Sequence, residues 1–137
     1  MSTHEEATLV IDAGQVLGTW TTRTLDGQDV RAVRASGGRP LALTFVRLDG
    51  ELRWHANDIV NAHSGTLTVS PDGRFHGSET MSTMVGSIGT RPRYQRNPQA
   101  VQQASEARLV TAPGSPPTLQ LLDAGAVLAV YTRQSPE

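Results

Sequence analysis

The stretch Trp54-His55-Ala56-Asn57-Asp58-Ile59-Val60-Asn61-Ala62-His63-Ser64-Gly65 puts two histidines, two asparagines and an aspartate into twelve positions. Imidazoles and carboxylates held together can move a proton near neutral pH or ligate a transition metal. The metal option requires His55, Asp58 and His63 to converge. Their spacing matches no compact metal motif, so no metal site is expected. The acid/base option combines Asp58, His55 or His63 with Glu79 from a neighbouring strand. A carboxyl inside an apolar interior has a raised pKa and can carry a proton at neutral pH. The plain alternative for Glu79 is an ion pair with an arginine. A third option is structural. Asn and Asp bond their own backbone and tolerate left-handed conformations, so the stretch can be a shaped connector between two hairpins, with Gly65 releasing the chain into the next strand. The residue types favour this connector and leave the acid/base option open.

Composition removes several chemistries. The 137 residues suit one domain with one core. There is no cysteine, which excludes disulfides, thiol nucleophiles and iron–sulfur clusters. All 12 basic residues are arginine, so Schiff-base and P-loop lysines are excluded as well. No cofactor is expected. A formal net charge of -1 argues against nucleic-acid partners. No apolar run reaches the roughly 20 residues of a membrane span, and the N-terminal stretch is acidic where a signal peptide is basic. The expected location is the cytoplasm.

Strand and turn signals dominate the chain. Residues 1–14 read as an N-terminal extension, 15–133 as a single β domain and 134–137 as a tail. Within the domain, Asp26-Gly27, Asp49-Gly50, Pro71-Asp72-Gly73 and Asp123-Ala124-Gly125 punctuate β-rich segments. Residues 112–117 read as a loop and 82–97 as irregular. One helix is expected over Pro98–Arg108, capped by Asn97 with Pro98 in its first turn. The expected fold is therefore mainly β: a small antiparallel curved sheet or calycin-like β-barrel with one short helix.

Side-chain alternation sets the register. A two-residue turn at Asp49-Gly50 pairs Phe45 with Trp54 and Leu43 with Ala56, which collects one apolar face and turns His55 to the other. A type I turn at Pro71-Asp72, followed by a left-handed Gly73, pairs Val69 with Phe75 and Leu67 with Gly77. Glu79 then shares the parity of Phe75 and points inward. Trp20, Trp54, Phe45, Phe75, Met81 and Asn61 are the candidates for lining a ligand chamber. Three further candidates are weaker. Arg91, Arg93 and Arg96 with Tyr94 could touch a phosphate, Ser64 beside His63 lacks a nucleophile-elbow pattern, and Met84 reads as a gap-filler.

The order Leu17-Gly18-Thr19-Trp20, Leu43-Thr44-Phe45, Asn57-Asp58-Ile59-Val60-Asn61 with Ser64-Gly65, Ser82-Thr83-Met84-Val85-Gly86 and Leu119-Gln120-Leu121-Leu122-Asp123 resembles the META domain, the HslJ-like family, over about residues 16–132. Asn61, Gly65, Ser82 and Thr83 match its signature positions, while Val60 and Ser87 stand where the family has cysteines. The resemblance implies a calycin-type β-barrel with a helix and no general catalytic residues. The LGTW opening also resembles lipocalin-like starts. The functional expectation is a non-catalytic META-like domain that binds a small apolar molecule or a protein partner. The alternative is a cofactor-independent barrel enzyme (cyclase, isomerase or dehydratase) using Glu79, Asp58, His55 and His63. A filled interaction module without a pocket is the third possibility.

Overall fold

The computed structural model describes residues 6–58, 61–82 and 92–134. Ten strands form one antiparallel sheet: β1 (Glu6–Leu9), β2 (Gly18–Leu25), β3 (Gln28–Asp29), β4 (Ala42–Leu48), β5 (Glu51–Asn57), β6 (Ala62–Val69), β7 (Phe75–Ser82), β8 (Glu106–Ala112), β9 (Ser115–Asp123) and β10 (Ala126–Arg133). One helix, α1 (Pro92–Gln103), lies between β7 and β8. The strands run β1-β8-β9-β10-β2-β4-β5-β6-β7, with β3 hanging on β2. The sheet is curved and does not close into a barrel. Its two edges approach at one end: Phe75 N–H donates to the Ser105 carbonyl at 3.1 Å, and Gly73 packs so tightly on Leu9 that a Cβ there would lie 2.4 Å from the Leu9 side chain.

Turn chemistry fixes the hairpins. Asp26, Asp49 and Ala124 have φ of 50°, 53° and 51°, each followed by a glycine at positive φ. Two successive left-handed residues make the type I′ turn that matches strand twist. The Asp49-Gly50 turn sets Phe45 opposite Trp54 and Leu43 opposite Ala56, as the alternation requires. Val69 likewise faces Phe75, and Leu67 faces Gly77. Gly73, at φ 91°, supplies the left-handed step after Pro71-Asp72.

Three expectations change. Residues 6–14, read as an extension, are built into the domain: β1 pairs with β8, and Val10 is fully buried. The loop expected over 112–117 shrinks to a turn at Pro113-Gly114, because Ser115 already pairs with Ala112. Pro116 and Pro117 fit into β9 because the register shifts between Val110 and Ala112, so the missing N–H groups fall where the ladder is interrupted.

The helix is the third change. It begins at Pro92 and ends at Gln103, so Asn97 and Pro98 lie inside it. Glu106–Arg108 belongs to β8 instead. Asn97 does not cap; its side chain is fully buried and ties the helix to the concave face of the sheet. Its Oδ1 accepts from Thr22 Oγ1 at 2.8 Å, and its Nδ2 donates to the carbonyls of Ala42 (3.1 Å) and Asn57 (2.7 Å). Ala100 and Val101 in the helix, with Ala104 just past its end, complete this buried surface. Gly77 lets the helix approach, since a Cβ there would lie 2.5 Å from Val101 Cγ1. We expect Asn97→Ala to destabilise the fold by about 2 kcal/mol in urea unfolding, because the buried groups it serves lose a partner without gaining water. An unchanged midpoint would mean the sheet holds the helix without this link.

Candidate functional site

Most of the polar stretch is strand, not loop. His55 lies in β5 and His63 in β6, and the connector is only residues 58–61. Gly65 does not release the chain into a strand; it sits within β6 at a bulge opposite Glu79. The connector is pinned at its base. Asp58 N–H donates to the Asn61 carbonyl at 2.9 Å, and Asp58 Oδ1 accepts the Asn61 N–H at 2.6 Å. Asn61 contributes its backbone N–H and carbonyl to this fastening.

Parity separates the two histidines. Trp54 faces the core, so His55 faces outward, paired with Thr44 on one side and Ser64 on the other. His63 pairs with Ala56, whose side chain is buried, and so lies on the concave side. The four acid/base candidates therefore divide: Asp58, His63 and Glu79 come together and His55 is excluded. Convergence of His55, Asp58 and His63 on a metal is ruled out by the same parity. Among the described residues no group of three His, Cys, Asp or Glu side chains is arranged to share an ion.

The trio is a carboxylate–imidazole–carboxylate bridge. His63 Nε2 lies 3.0 Å from Asp58 Oδ2, and Nδ1 lies 2.5 Å from Glu79 Oε1. The bridge grades from dry to wet: side-chain exposure is 1% for Asp58, 17% for His63 and 33% for Glu79. Glu79 does point inward, as its parity required, but its partner is His63 and not an arginine. Burial pulls the imidazole pKa down, yet the hydrogen bonds and charges of Asp58 and Glu79 outweigh it, and the net shift is upward. Two acceptors, one on each ring nitrogen, suit an imidazolium that donates both ways. Such a group is a poor general base, because neither nitrogen offers a lone pair to a substrate.

The aromatic candidates form the core. Trp20, Phe45, Trp54 and Phe75 are each no more than 1% exposed. Phe45 and Phe75 meet edge to face at 6.0 Å, and Trp20 Nε1 donates to the Val16 carbonyl at 2.9 Å. These four rings belong to the buried core, and none of them lines the cavity described below. Met81 is 69% exposed and stands outside the core. Arg93 and Tyr94 fall within α1, and Arg96 pairs with Asp26 at 2.9 Å. Val60, Met84, Ser87 and Arg91 lie outside the described residues.

A cavity lies on the opposite, outer face. It has a volume of about 310 Å³ and is lined by Arg39, Pro40, Ala42, Thr44, His55, Ala56, Asn57, Ala62 and Gln134. That is the lower end of the range for small-molecule pockets, roughly 300–1,000 Å³. Asn57 stiffens its floor: Oδ1 accepts the Ala42 N–H at 2.8 Å and Nδ2 donates to the Pro40 carbonyl at 3.0 Å. Thr44 is held by Thr19 through a 3.1 Å hydroxyl contact. The outward parity of Thr44 and His55 was the only sequence signal for this groove. Arg39 reaches it from the segment just before β4, and Gln134 from just past β10.

No family model and no curated protein matches the chain. A solved structure is similar in fold: an NMR structure of a protein from Burkholderia xenovorans, 16% identical, covering 99% of this chain and 100% of that one with a TM-score of 0.61. At that identity the likeness concerns the fold alone. Among the described residues no helix is long and apolar enough to cross a membrane.

Proposed function

We propose that the chain is a non-catalytic, META-like binding domain that takes a small molecule with an apolar body in the groove on its outer face. The observation that supports this most is the division of labour across the sheet. The concave side is occupied by packed rings and α1, whereas the outer groove offers apolar atoms from Pro40, Ala42 and Ala62 beside Thr44 and His55. The His63 bridge fits a structural role here. It fastens the connector after β5 to β7, and β5 and β6 carry one wall of the groove. The absence of cysteine fits a cytoplasmic setting.

A titration of the labelled protein with cyclohexanol or benzyl alcohol, followed by amide NMR, tests the proposal. Saturable shifts are expected at Ala42, Thr44, His55 and Ala62. Thr44→Tyr, which fills the groove from an outward-facing strand position, should abolish them while the fold persists. Shifts confined to core residues such as Leu43 and Leu121 would sink the outer-groove assignment.

An enzymatic reading keeps one supporting observation: Glu79 is a third exposed, and His63, backed by Asp58, holds it in place. On that reading Glu79→Gln abolishes turnover of a hydrophobic substrate and leaves the fold intact. Full turnover in the variant would remove Glu79 as proton carrier.

A further inference from the structure

We infer that the outer groove selects a small carboxylate: a ligand whose anionic end meets Arg39 and His55 and whose apolar body lies against Pro40, Ala42 and Ala62. The inference rests on the binding function proposed above and specifies its ligand. Its basis is charge complementarity. The lining contains a guanidinium, an imidazole, a threonine hydroxyl and two side-chain amides, and it contains no acidic residue. Five of the ten arginines with described side chains hold an ion pair: Arg31 with Asp29, Arg53 with Glu51, Arg74 with Asp72, Arg96 with Asp26 and Arg108 with Glu106. Arg39 has no ion pair among the described residues, although the chain as a whole carries a net charge of -1.

The chemistry of the donors narrows the ligand. A guanidinium presents a planar fork that matches two carboxylate oxygens. His55 adds an N–H donor from the adjacent strand. The polar groups of Asn57 are already committed to Pro40 and Ala42, so the floor presents little beyond apolar surface and needs no rearrangement to accept a ligand. The cavity volume of about 310 Å³ suits a compact acid, with room for one ring or a short branched chain.

Benzoate and its neutral isostere benzamide form a matched pair of probes. Each is titrated into the full chain and into Arg39→Gln, an exposed substitution that leaves the core untouched, with binding read from amide shifts at Ala42, Thr44, His55 and Ala62. Benzoate is expected to bind the groove about tenfold more tightly than benzamide, and Arg39→Gln to erase that difference, as the loss of one charge-assisted contact would. Raising the salt concentration should weaken benzoate and leave benzamide alone. Equal binding of the two probes, or a preference for benzoate that survives Arg39→Gln, overturns the carboxylate inference while the groove remains a binding site. If neither probe moves these resonances, the binding function fails and this inference with it.

Discussion

Gly65→Ala is expected to cost more than about 3 kcal/mol, at or beyond the usual overpacking penalty and a large share of a small domain's stability. A Cβ at this position would sit 1.7 Å from the Ser78 carbonyl oxygen and 2.9 Å from Glu79 Cα. Both obstacles are backbone, so no rotamer change relieves them. The cause lies in the ladder between β6 and β7, which shifts register between Ser64 and Gly65 and presses the β7 main chain over the glycine. Gly114→Ala makes the control. Gly114 has φ 76° with nothing within 4 Å of an added Cβ, so only the left-handed backbone is penalised, at about 1 kcal/mol. Chemical denaturation of the two variants should separate them clearly. Equal midpoints would mean that β7 yields at the bulge, and that Glu79 is not rigidly placed opposite Gly65.

The second large effect belongs to His63. His63→Ala is expected to destabilise by about 3 kcal/mol at pH 6, because it strips a buried carboxylate of its cationic partner. Asp58 keeps the Asn61 N–H, so the connector retains one fastening. Glu79→Gln should cost about 1 kcal/mol or less, since a carboxylate that is a third exposed is partly screened by water. The pH dependence has a definite sign. The folded pKa of His63 lies above its ordinary value of 6.5, so the bridge contributes fully below pH 6.5 and the contribution fades as pH rises through the folded pKa. Wild-type stability should therefore fall over that window, and the fall should be absent in His63→Ala. A variant with the same pH slope as wild type would show that His63 is not the group responsible.

Local chemistry made part of this molecule legible. Asp49-Gly50 and Pro71-Asp72-Gly73 admit few turn geometries, and each turn sets the parity of both its strands. Phe45 opposite Trp54, the inward Glu79 and the outward His55 all follow from those two turns. The helix starts before Asn97-Pro98 because tertiary bonding overrides that strong local capping signal: the Asn97 side chain is taken by Thr22, Ala42 and Asn57, which lie 40 to 75 residues away in sequence. The same signal hides the strand at Glu106–Ala112.

The members of the candidate site were legible by type and not by grouping. Asp58, His63 and Glu79 were all recognisable as proton-carrying groups, but whether His55 or His63 joins them depends on the length of a connector between two strands. A connector of residues 58–61 places His63 opposite Ala56 and thus on the concave side. The groove was the least legible feature, because Arg39 and Gln134 arrive from segments that no periodicity links to β5. Gly65 also changed meaning. The sequence pattern reads as a release from a loop into the next strand, and the packing shows a site where backbone meets backbone.

The protonation state of His63 bears most directly on whether the interior bridge is a fastener or a catalytic base. Long-range proton–nitrogen NMR of the histidine side chains, followed from pH 5 to pH 9, reads it without perturbing the protein. Both ring nitrogens of His63 should remain protonated at pH 6.5, with a midpoint above that value. A neutral His63 ring at pH 6.5, carrying one bare nitrogen, would contradict the structural role and return the trio to acid/base chemistry.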